Sequence, residues 1–183
     1  MLALYTLKSI FNKGFIRIVK KGPNFFIIVD FKYLNSFIKF LRYSLKFSFA
    51  QLLDIWVVDY PNRDYRFEVN YLFLSINSLS RLYVKTWIQE YGFLYSVSTL
   101  FASGNWLERE IWDMYGIFFV NHSDLRRILT DYGFVGFPLR KDFPLTGYVE
   151  LRYDDADKRV VVESLETAQE FRFFNFITPW ETK

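Results

Sequence analysis

The sequence of 183 residues contains no cysteine. This absence excludes a disulfide framework, a thiolate zinc site and an iron–sulfur cluster held by cysteines. Histidine occurs once, at His122, so no pair of histidines can bind a metal. The chain also lacks a Gly-x-Gly-x-x-Gly and a Walker motif, which argues against a nucleotide site built on either phosphate-binding loop.

Acidic residues are scarce at the start of the chain, where the first is Asp30 and five basic residues precede it. Residues 1–100 carry 13 Lys/Arg against 6 Asp/Glu, whereas residues 101–183 carry 10 against 14. A basic, acid-poor start is typical of a transit peptide, a nucleic-acid-binding arm or a helix on a membrane surface. Because the sequence starts at Met1, we expect that no transit peptide was removed and that an organellar protein of this sequence is made inside the organelle.

Long apolar runs are also missing. The longest uncharged stretch, from Tyr91 to Leu107, is interrupted by small polar residues and is shorter than the roughly 20 apolar residues that a bilayer requires. We therefore expect no transmembrane segment and a soluble or peripheral protein. Aromatic residues, in contrast, make up 22% of the chain, which fits either surfaces that partners cover or an AT-rich genome.

The pattern of apolar residues predicts an α+β fold. We expect a two-layer domain with a mostly antiparallel sheet and helices on one face, followed by an extended irregular C-terminal tail. The predicted parts are an α+β domain over 1–130, including the signature helices described next, and a partner-binding tail over 131–183. The predicted elements of the first part are a helix over 2–12, strands Phe15–Val19 and Phe25–Val29, a helix over Phe31–Leu45, and strands Leu52–Val58, Arg66–Ile76 and Arg81–Ile88.

A charged helix is predicted over Asn105–Gly116, with Asn105 as its N-cap, Glu108 in the capping-box position and Gly116 as its stop. Its buried stripe is expected to be Leu107, Ile111, Met114 and Tyr115, with the charged side chains over the remaining circumference, where Arg109 and Asp113 lie one turn apart. A second short helix is predicted after it, capped by Asn121 or Ser123, with Leu125, Ile128 and Leu129 on one face.

Beyond Asp131 the chain is broken by glycine and proline, and strands Tyr148–Tyr153 and Lys158–Val162 are expected to form a hairpin. The aromatic residues that follow, among them Phe171 and Trp180, show no periodicity. So much apolar surface is costly to leave in water, so we expect this tail to lie along another protein.

The dense charges of the second half could form a metal or acid–base site, but their spacing argues against it, because Glu108 and Glu110 point to different sides of a helix. We predict instead a charge network that is structural or binds partners, and no catalytic, cofactor-binding or metal-binding residue. An RNA-binding protein of an organellar ribosome and a small enzyme using His122 are the rival interpretations. The predicted site residues are Glu108, Arg109, Glu110, Asp113, His122, Asp124, Arg126, Arg127, Arg140, Lys141, Asp142, Phe171, Arg172 and Trp180.

The order of these residues resembles one family closely. The strings that carry the resemblance are Glu108-Arg109-Glu110-x-x-Asp113-Met114-Tyr115-Gly116, His122-x-Asp124-Leu125-Arg126-Arg127-Ile128-Leu129 and Arg140-Lys141-Asp142-Phe143-Pro144. They are similar to the signature of the 30 kDa subunit family of respiratory complex I, which includes NADH dehydrogenase subunit 9 and its counterpart in the bacterial NADH-quinone oxidoreductase. The chain departs from the family pattern at Ser123 and Ser164, where the family usually has proline.

The resemblance implies a non-catalytic structural subunit in the peripheral arm, the quinone-reducing module, of the NADH:ubiquinone oxidoreductase of the mitochondrial inner membrane. On the matrix side it would support electron transfer from NADH to ubiquinone and the coupled proton translocation, and it would be encoded in the organelle. Its partners would be the large quinone-site subunit and the terminal-cluster subunit, with no nucleic acid. FMN, iron–sulfur clusters and ubiquinone would be carried by other subunits, and this chain would bind none of them.

Overall fold

A computed structural model of the chain describes residues 16–21, 24–166, 169–174, 176, 178 and 180. The helix predicted over 2–12 lies outside these residues. Within the described ranges no helix is both long and apolar enough to cross a membrane. The elements, in chain order, are β1 Ile16–Lys21, β2 Asn24–Val29, α1 Leu34–Tyr43, β3 Gln51–Asp59, β4 Phe67–Ser75, β5 Ser80–Ile88, β6 Phe93–Tyr95, α2 Ala102–Tyr115, β7 Phe118–Val120, β8 Val149–Asp154 and β9 Arg159–Ser164.

Five strands form the main sheet in the order β1-β2-β5-β4-β3. Three of its four pairings are antiparallel, and β2 and β5 pair in parallel, with Phe26 opposite Tyr83. The parallel pair arises because β2 is followed by helix α1 rather than by a tight turn to β5, and a parallel neighbour requires such a long connection. The predicted α+β class with a mostly antiparallel sheet is confirmed.

The core lies on one face of this sheet. Alternate residues of the central strands, such as Val69, Tyr71 and Val84, are fully buried there. Phe37 of α1 and Ile111 of α2 belong to the same core cluster, so both helices cover this face, as the sequence predicted. Side chains at every second position of a strand point to one side, which explains how the strands supply a continuous apolar surface.

Helix α2 also covers the outer edge of β3. The hydroxyl of Ser103 donates to the carbonyl of Leu52 at 2.9 Å, and the hydroxyl of Tyr115 donates to the carbonyl of Val57 at 3.1 Å. Two backbone carbonyls of this edge strand thus accept hydrogen bonds from side chains of the same chain.

The chain divides into two compact units, one up to Phe143 and one from Pro144. Residues 131–143, which the sequence analysis assigned to the tail, pack with the first unit. In the second unit β8 and β9 pair as an antiparallel hairpin, as predicted. Its Val149, Leu151, Tyr153, Val160 and Val162 are exposed.

Candidate functional site

The signature helix starts earlier than predicted. Helix α2 begins at Ala102, and Phe101 occupies the N-cap in an extended conformation without a side-chain cap. The predicted capping by Asn105 and Glu108 is therefore wrong, because both residues lie inside the helix. The predicted stop at Gly116 is confirmed, since this residue adopts a left-handed conformation with φ of 75° and its amide donates to the Trp112 carbonyl.

Glu108 is fully buried, although the periodicity placed it on the outer side of the helix. Its carboxylate accepts hydrogen bonds from the hydroxyl of Ser96 and the amide of Val97, both at 2.6 Å. These donors come from the loop between β6 and α2, so the buried carboxylate ties that loop to the helix.

His122 lies beside this carboxylate, with Nε2 3.7 Å from Oε2 of Glu108. Its Nδ1 accepts the amide hydrogen of Asp124 at 3.1 Å, and Nε2 lies 3.2 Å from the carbonyl oxygen of Asn105. A carbonyl can only accept and an amide can only donate, so the proton sits on Nε2 and the ring is neutral. His122 therefore gives Glu108 no full positive charge.

Burial raises the pKa of Glu108 to about 7, against the opposing effect of the hydrogen bonds from Ser96 and Val97. The nearby Tyr71 hydroxyl is buried as well, and its pKa is raised well above the ordinary value by burial and by the charge of Glu108. No hydrogen-bond partner for this hydroxyl is present among the described residues. The cluster of Glu108, His122, Ser96 and Tyr71 is thus an interior polar site, and no Lys or Arg in the described part of the chain pairs with its carboxylate.

Asp113 is the second buried acid of the helix. Its Oδ2 accepts the backbone amides of Ile128, Leu129 and Thr130 at 3.2, 2.8 and 2.9 Å, and its Oδ1 accepts the Thr130 hydroxyl at 2.6 Å. Residues 121–130 consequently form no helix, and the second helix predicted there is wrong. Three successive amides converge on one carboxylate, and this replaces the helical hydrogen bonds.

Arg127 completes the environment of Asp113. Its guanidinium donates to Oδ1 of Asp113 at 3.0 Å and to the carbonyl of Gly136 at 2.9 Å. Burial would raise the pKa of Asp113, but the hydrogen bonds from Thr130, Leu129 and Arg127 outweigh it and lower the pKa to about 2. Asp113 therefore stays ionised and holds residues 127–130 against α2.

Arg140 fixes the next part of the segment. Its Nε donates to the carbonyl of Tyr115 at 2.7 Å, and its Nη1 donates to Glu90 at 3.0 Å. The guanidinium of Arg140 lies 4.6 Å from the ring centre of Phe137, and the guanidinium of Arg127 lies 5.1 Å from the same ring centre. Phe137 is thus held by two cations where the chain returns to the end of α2.

A third set of charges surrounds the buried Arg66. Asp142 and Lys141 of this set were predicted from the sequence, whereas Arg66, Asp59 and Glu90 were not. Its guanidinium contacts Asp59 at 2.8 Å, Asp142 at 2.9 Å and Glu90 at 3.1 Å. Asp59 also accepts the backbone amide of Lys141 at 2.8 Å. Interaction with Arg66 and this amide lowers the pKa of Asp59 against the effect of burial, and the same Arg66 lowers the pKa of Asp142. The available signal was a pair of opposite charges at the facing ends of β3 and β4.

The remaining predicted residues lie outside these sets. Asp124 and Arg126 form an exposed ion pair at 2.9 Å. The Nε of Arg109 donates to the carbonyl of Arg126 at 3.4 Å, so the predicted proximity of Arg109 to Asp113 gives no pair. Glu110 is half-buried. In the second unit, Phe171, Arg172 and Trp180 are all exposed. Their role in partner binding stays a prediction.

Residues predicted from the sequence thus occur beside unpredicted ones, such as Arg66, in three internal clusters centred on Glu108, Asp113 and Arg66. Together they attach residues 121–143, which we call the anchored segment, to the first unit. Among the residues that the structure describes, no group of three or more His, Asp or Glu side chains is arranged to hold a metal ion. What the arrangement can do is fix an irregular segment in one conformation.

The chain is similar to several named proteins and to one family model. A family model described as the 30 Kd subunit of respiratory-chain NADH dehydrogenase matches residues 27–149. A protein of Reclinomonas americana named NADH-ubiquinone oxidoreductase subunit 9 is 49% identical over 181 residues, covering 99% of this chain and 84% of the relative. A rice protein (Oryza sativa subsp. japonica) named NADH dehydrogenase [ubiquinone] iron-sulfur protein 3 is 53% identical over 162 residues, covering 88% of this chain and 84% of the relative.

Two solved structures have a similar fold. A trypsin-resistant fragment (1–134) of Nqo5 is 29% identical, with a TM-score of 0.59, and the match covers 68% of this chain and all of the fragment. A chain of an archaeal membrane-bound sulfane sulfur reductase, a respiratory membrane complex, has a TM-score of 0.66 at 22% identity over 79% of this chain and 87% of that one, which shows likeness of fold alone. The alternative of a ribosomal RNA-binding protein gains no support from these relatives.

Proposed function

We propose that this chain, which belongs to the 30 kDa subunit family of the respiratory-chain NADH dehydrogenase, is a structural subunit in the peripheral arm of complex I. In this proposal the chain carries no catalytic residue. Its role is to hold neighbouring subunits in register while they pass electrons from NADH to ubiquinone. The observation that carries this proposal is that Glu108, Asp113, Arg127 and Arg140 of the family signature are engaged by partners inside the chain. Asp113, for example, is enclosed by five donors.

The proposal assigns FMN, the iron–sulfur clusters and ubiquinone to other subunits of the complex. Support comes from the chemistry of the side chains, because the chain has no cysteine and its single histidine is bound on both ring nitrogens by backbone groups. A buried ring with both nitrogens engaged cannot also act as a ligand or base without losing those contacts.

The proposed partners are the large quinone-site subunit and the subunit that holds the terminal cluster, and the second unit is the part that binds them. One face of its hairpin is apolar and exposed through Val149, Leu151, Tyr153, Val160 and Val162. On the other face Arg152 pairs with Glu163 at 2.6 Å. An isolated two-stranded hairpin is marginally stable in water, so a partner on the apolar face would stabilise it.

Exposed aromatic residues also follow the hairpin in the second unit. Phe171, Phe173, Phe174, Phe176 and Trp180 are between 63% and 90% exposed. Aromatic side chains bury about 150–250 Å² each, so these five can supply most of the roughly 800 Å² that one partner contributes to a standard interface.

We further propose that the chain works on the matrix side of the mitochondrial inner membrane and is encoded in the organelle. The relatives named NADH-ubiquinone oxidoreductase subunit 9 in Reclinomonas americana and Prototheca wickerhamii support a place in this enzyme. The high content of Phe and Tyr in the sequence fits an AT-rich organellar genome.

The test is incorporation into the complex. The full chain, a chain ending at Phe143 and a Lys46→Ala control are expressed with a tag in cells that lack their own copy of this subunit. Membranes are solubilised gently and separated on a native gel stained for NADH oxidation. We expect the full chain and the control, which changes an exposed lysine, in the large NADH-oxidising band, and the shortened chain outside it. Absence of the full chain from the band would overturn the proposed function, and presence of the shortened chain would overturn the role of the second unit.

A further inference from the structure

Many of the polar groups of the anchored segment form hydrogen bonds within the first unit. Asp113 takes the amides of residues 128–130, and Arg127 binds the carbonyl of Gly136. Further along, the amide of Leu139 donates to the carbonyl of Met114 at 3.2 Å, and Arg140 binds the carbonyl of Tyr115. The backbone of residues 128–140 is thus held at both ends and in its middle.

Apart from Asp131, the exposed side chains of the same stretch belong to large apolar residues. Tyr132 is fully exposed and Val135 is 85% exposed, while Leu129 and Leu139 are each more than half exposed. These four present on the order of 500 Å² of surface, which is more than half of the share of one partner in a standard interface. Large apolar side chains exposed together on an ordered backbone are typical of a surface that binds another protein.

We propose that Leu129, Tyr132, Val135 and Leu139 form a preformed docking surface for a neighbouring subunit of the complex, with Tyr132 entering an apolar pocket. The inference rests on the proposed function and changes the assignment of the contact residues. In the sequence analysis the charges Arg127 and Arg140 were candidates for partner binding, whereas in the structure they anchor the segment from inside. Because the backbone is already ordered, little conformational entropy is lost on docking.

The charge of the stretch identifies the kind of partner. Residues 128–139 contain a single charged residue, Asp131, and no Lys or Arg. An anionic lipid surface would require basic residues here. A second copy of the chain docking through the same patch would bring Asp131 against Asp131. The matching surface is therefore an apolar pocket with Lys or Arg at its rim, on a different subunit.

The test compares two matched double variants of the full chain. Tyr132→Ala with Val135→Ser removes the docking side chains, and Tyr91→Ala with Leu45→Ser removes two residues that are 94% and 100% exposed elsewhere in the first unit. Both are expressed in cells lacking this subunit, and the chain in the NADH-oxidising band of a native gel is quantified. We expect the control at the wild-type level and the docking variant reduced at least tenfold, with both purified chains melting as the wild type does.

Single-residue charge reversal provides a second measurement that does not depend on the folding of the double variant. Asp131→Lys changes an exposed side chain and is expected to lower incorporation several-fold, because it brings a cation to a basic rim. Equal incorporation of the docking and control variants, or no effect of Asp131→Lys, would overturn the docking surface while the wild-type chain in the band upholds the proposed function. Binding of the free wild-type chain to phosphatidylcholine–cardiolipin vesicles that is lost in the docking variant would overturn it in favour of lipid. A wild-type chain missing from the band would instead overturn the function itself.

Discussion

Glu108 is a carboxylate enclosed by uncharged donors, and this sets how stability depends on pH. Its folded pKa of about 7 lies above the ordinary value of 4.5. Between these values the folded chain binds a proton that the unfolded chain has released, so stability falls as pH rises from about 4.5 to 7 and is level above that. The size of this loss is roughly 3 kcal/mol.

Glu108→Gln removes the titration while keeping the shape of the side chain. We expect the free energy of unfolding of the variant to lose this slope, so that its stability relative to the wild type rises between pH 4.5 and 7. Urea unfolding of the purified full chain at half-unit steps of pH measures the difference. Parallel profiles of the two proteins would contradict the burial of an uncompensated carboxylate.

The inward orientation of Glu108 and Asp113 could not be predicted from the sequence, and the reason lies at this scale. Helical periodicity places charged residues on the solvent side of a helix. This placement fails when the interior offers hydrogen-bond donors to the charged group. For Asp113 the partners are amides 15 to 17 positions further along the chain, and no local pattern reveals them. The identity of most of these partners therefore required the fold.

At the scale of elements, the end of α2 and the anchored segment meet at a glycine. A Cβ at Gly116 would come within 2.5 Å of the Phe137 ring, which is held by Arg127 and Arg140. Gly133 has the same left-handed backbone, with φ of 74°, but nothing within 4 Å of the position of a Cβ. The two positions thus share the backbone cost of a side chain and differ in the space available.

Alanine at each glycine separates these effects. Gly133→Ala is expected to lower the free energy of unfolding by about 1 kcal/mol, which is the cost of a left-handed alanine. Gly116→Ala is expected to lower it by a further 1–3 kcal/mol or so, because the ring must move. Thermal and urea unfolding of the two purified variants give the comparison, and equal losses would mean that Phe137 does not press on the end of the helix.

The strands of the main sheet were predicted to within a few residues, because alternation and turn residues are local signals. The first residues of the helices were predicted less accurately. Helix α2 begins without a side-chain cap, so the capping pattern around Asn105 indicated a start that the chain does not use. The helix expected after Asn121 fails for a different reason, since Asp113 binds the amides that it would need.

At the scale of the whole molecule, the chain forms two compact units that divide at Phe143, whereas the partner-binding tail was predicted to start at residue 131. The glycines and prolines that follow residue 131 were interpreted as the sign of an extended tail. Those residues instead allow an irregular path along the first unit, where Asp142 and the amide of Lys141 are bound by Arg66 and Asp59. Composition describes flexibility of the free chain but carries no information about such long-range anchors.

This organisation predicts the pattern of limited trypsin digestion of the free full chain. Cleavage is expected early in the second unit, after Arg152 and Lys158, which are exposed, and late after Arg140, whose guanidinium is bound to Glu90 and Tyr115. Intact-mass spectrometry over a time course follows the fragments.

An Arg66→Lys variant supplies the comparison for this digestion. Lysine cannot reproduce the bidentate contact with Asp59, so cleavage after Arg140 and Lys141 is expected to become faster, while the rate after Arg152 is unchanged. Rapid cleavage of the wild type at Arg140 would show that residues 138–143 are not held by these contacts.

The covered edge of β3 has a consequence for the period between synthesis and assembly. A subunit that waits for its partners is at risk of stacking strand on strand into fibres, and a nine-residue edge strand is long enough to template this. The hydroxyls of Ser103 and Tyr115 bind two carbonyls of this strand and hold helix α2 against it. We therefore expect the helix that carries the family signature to hinder polymerisation of unassembled copies, and loss of the helix to favour it.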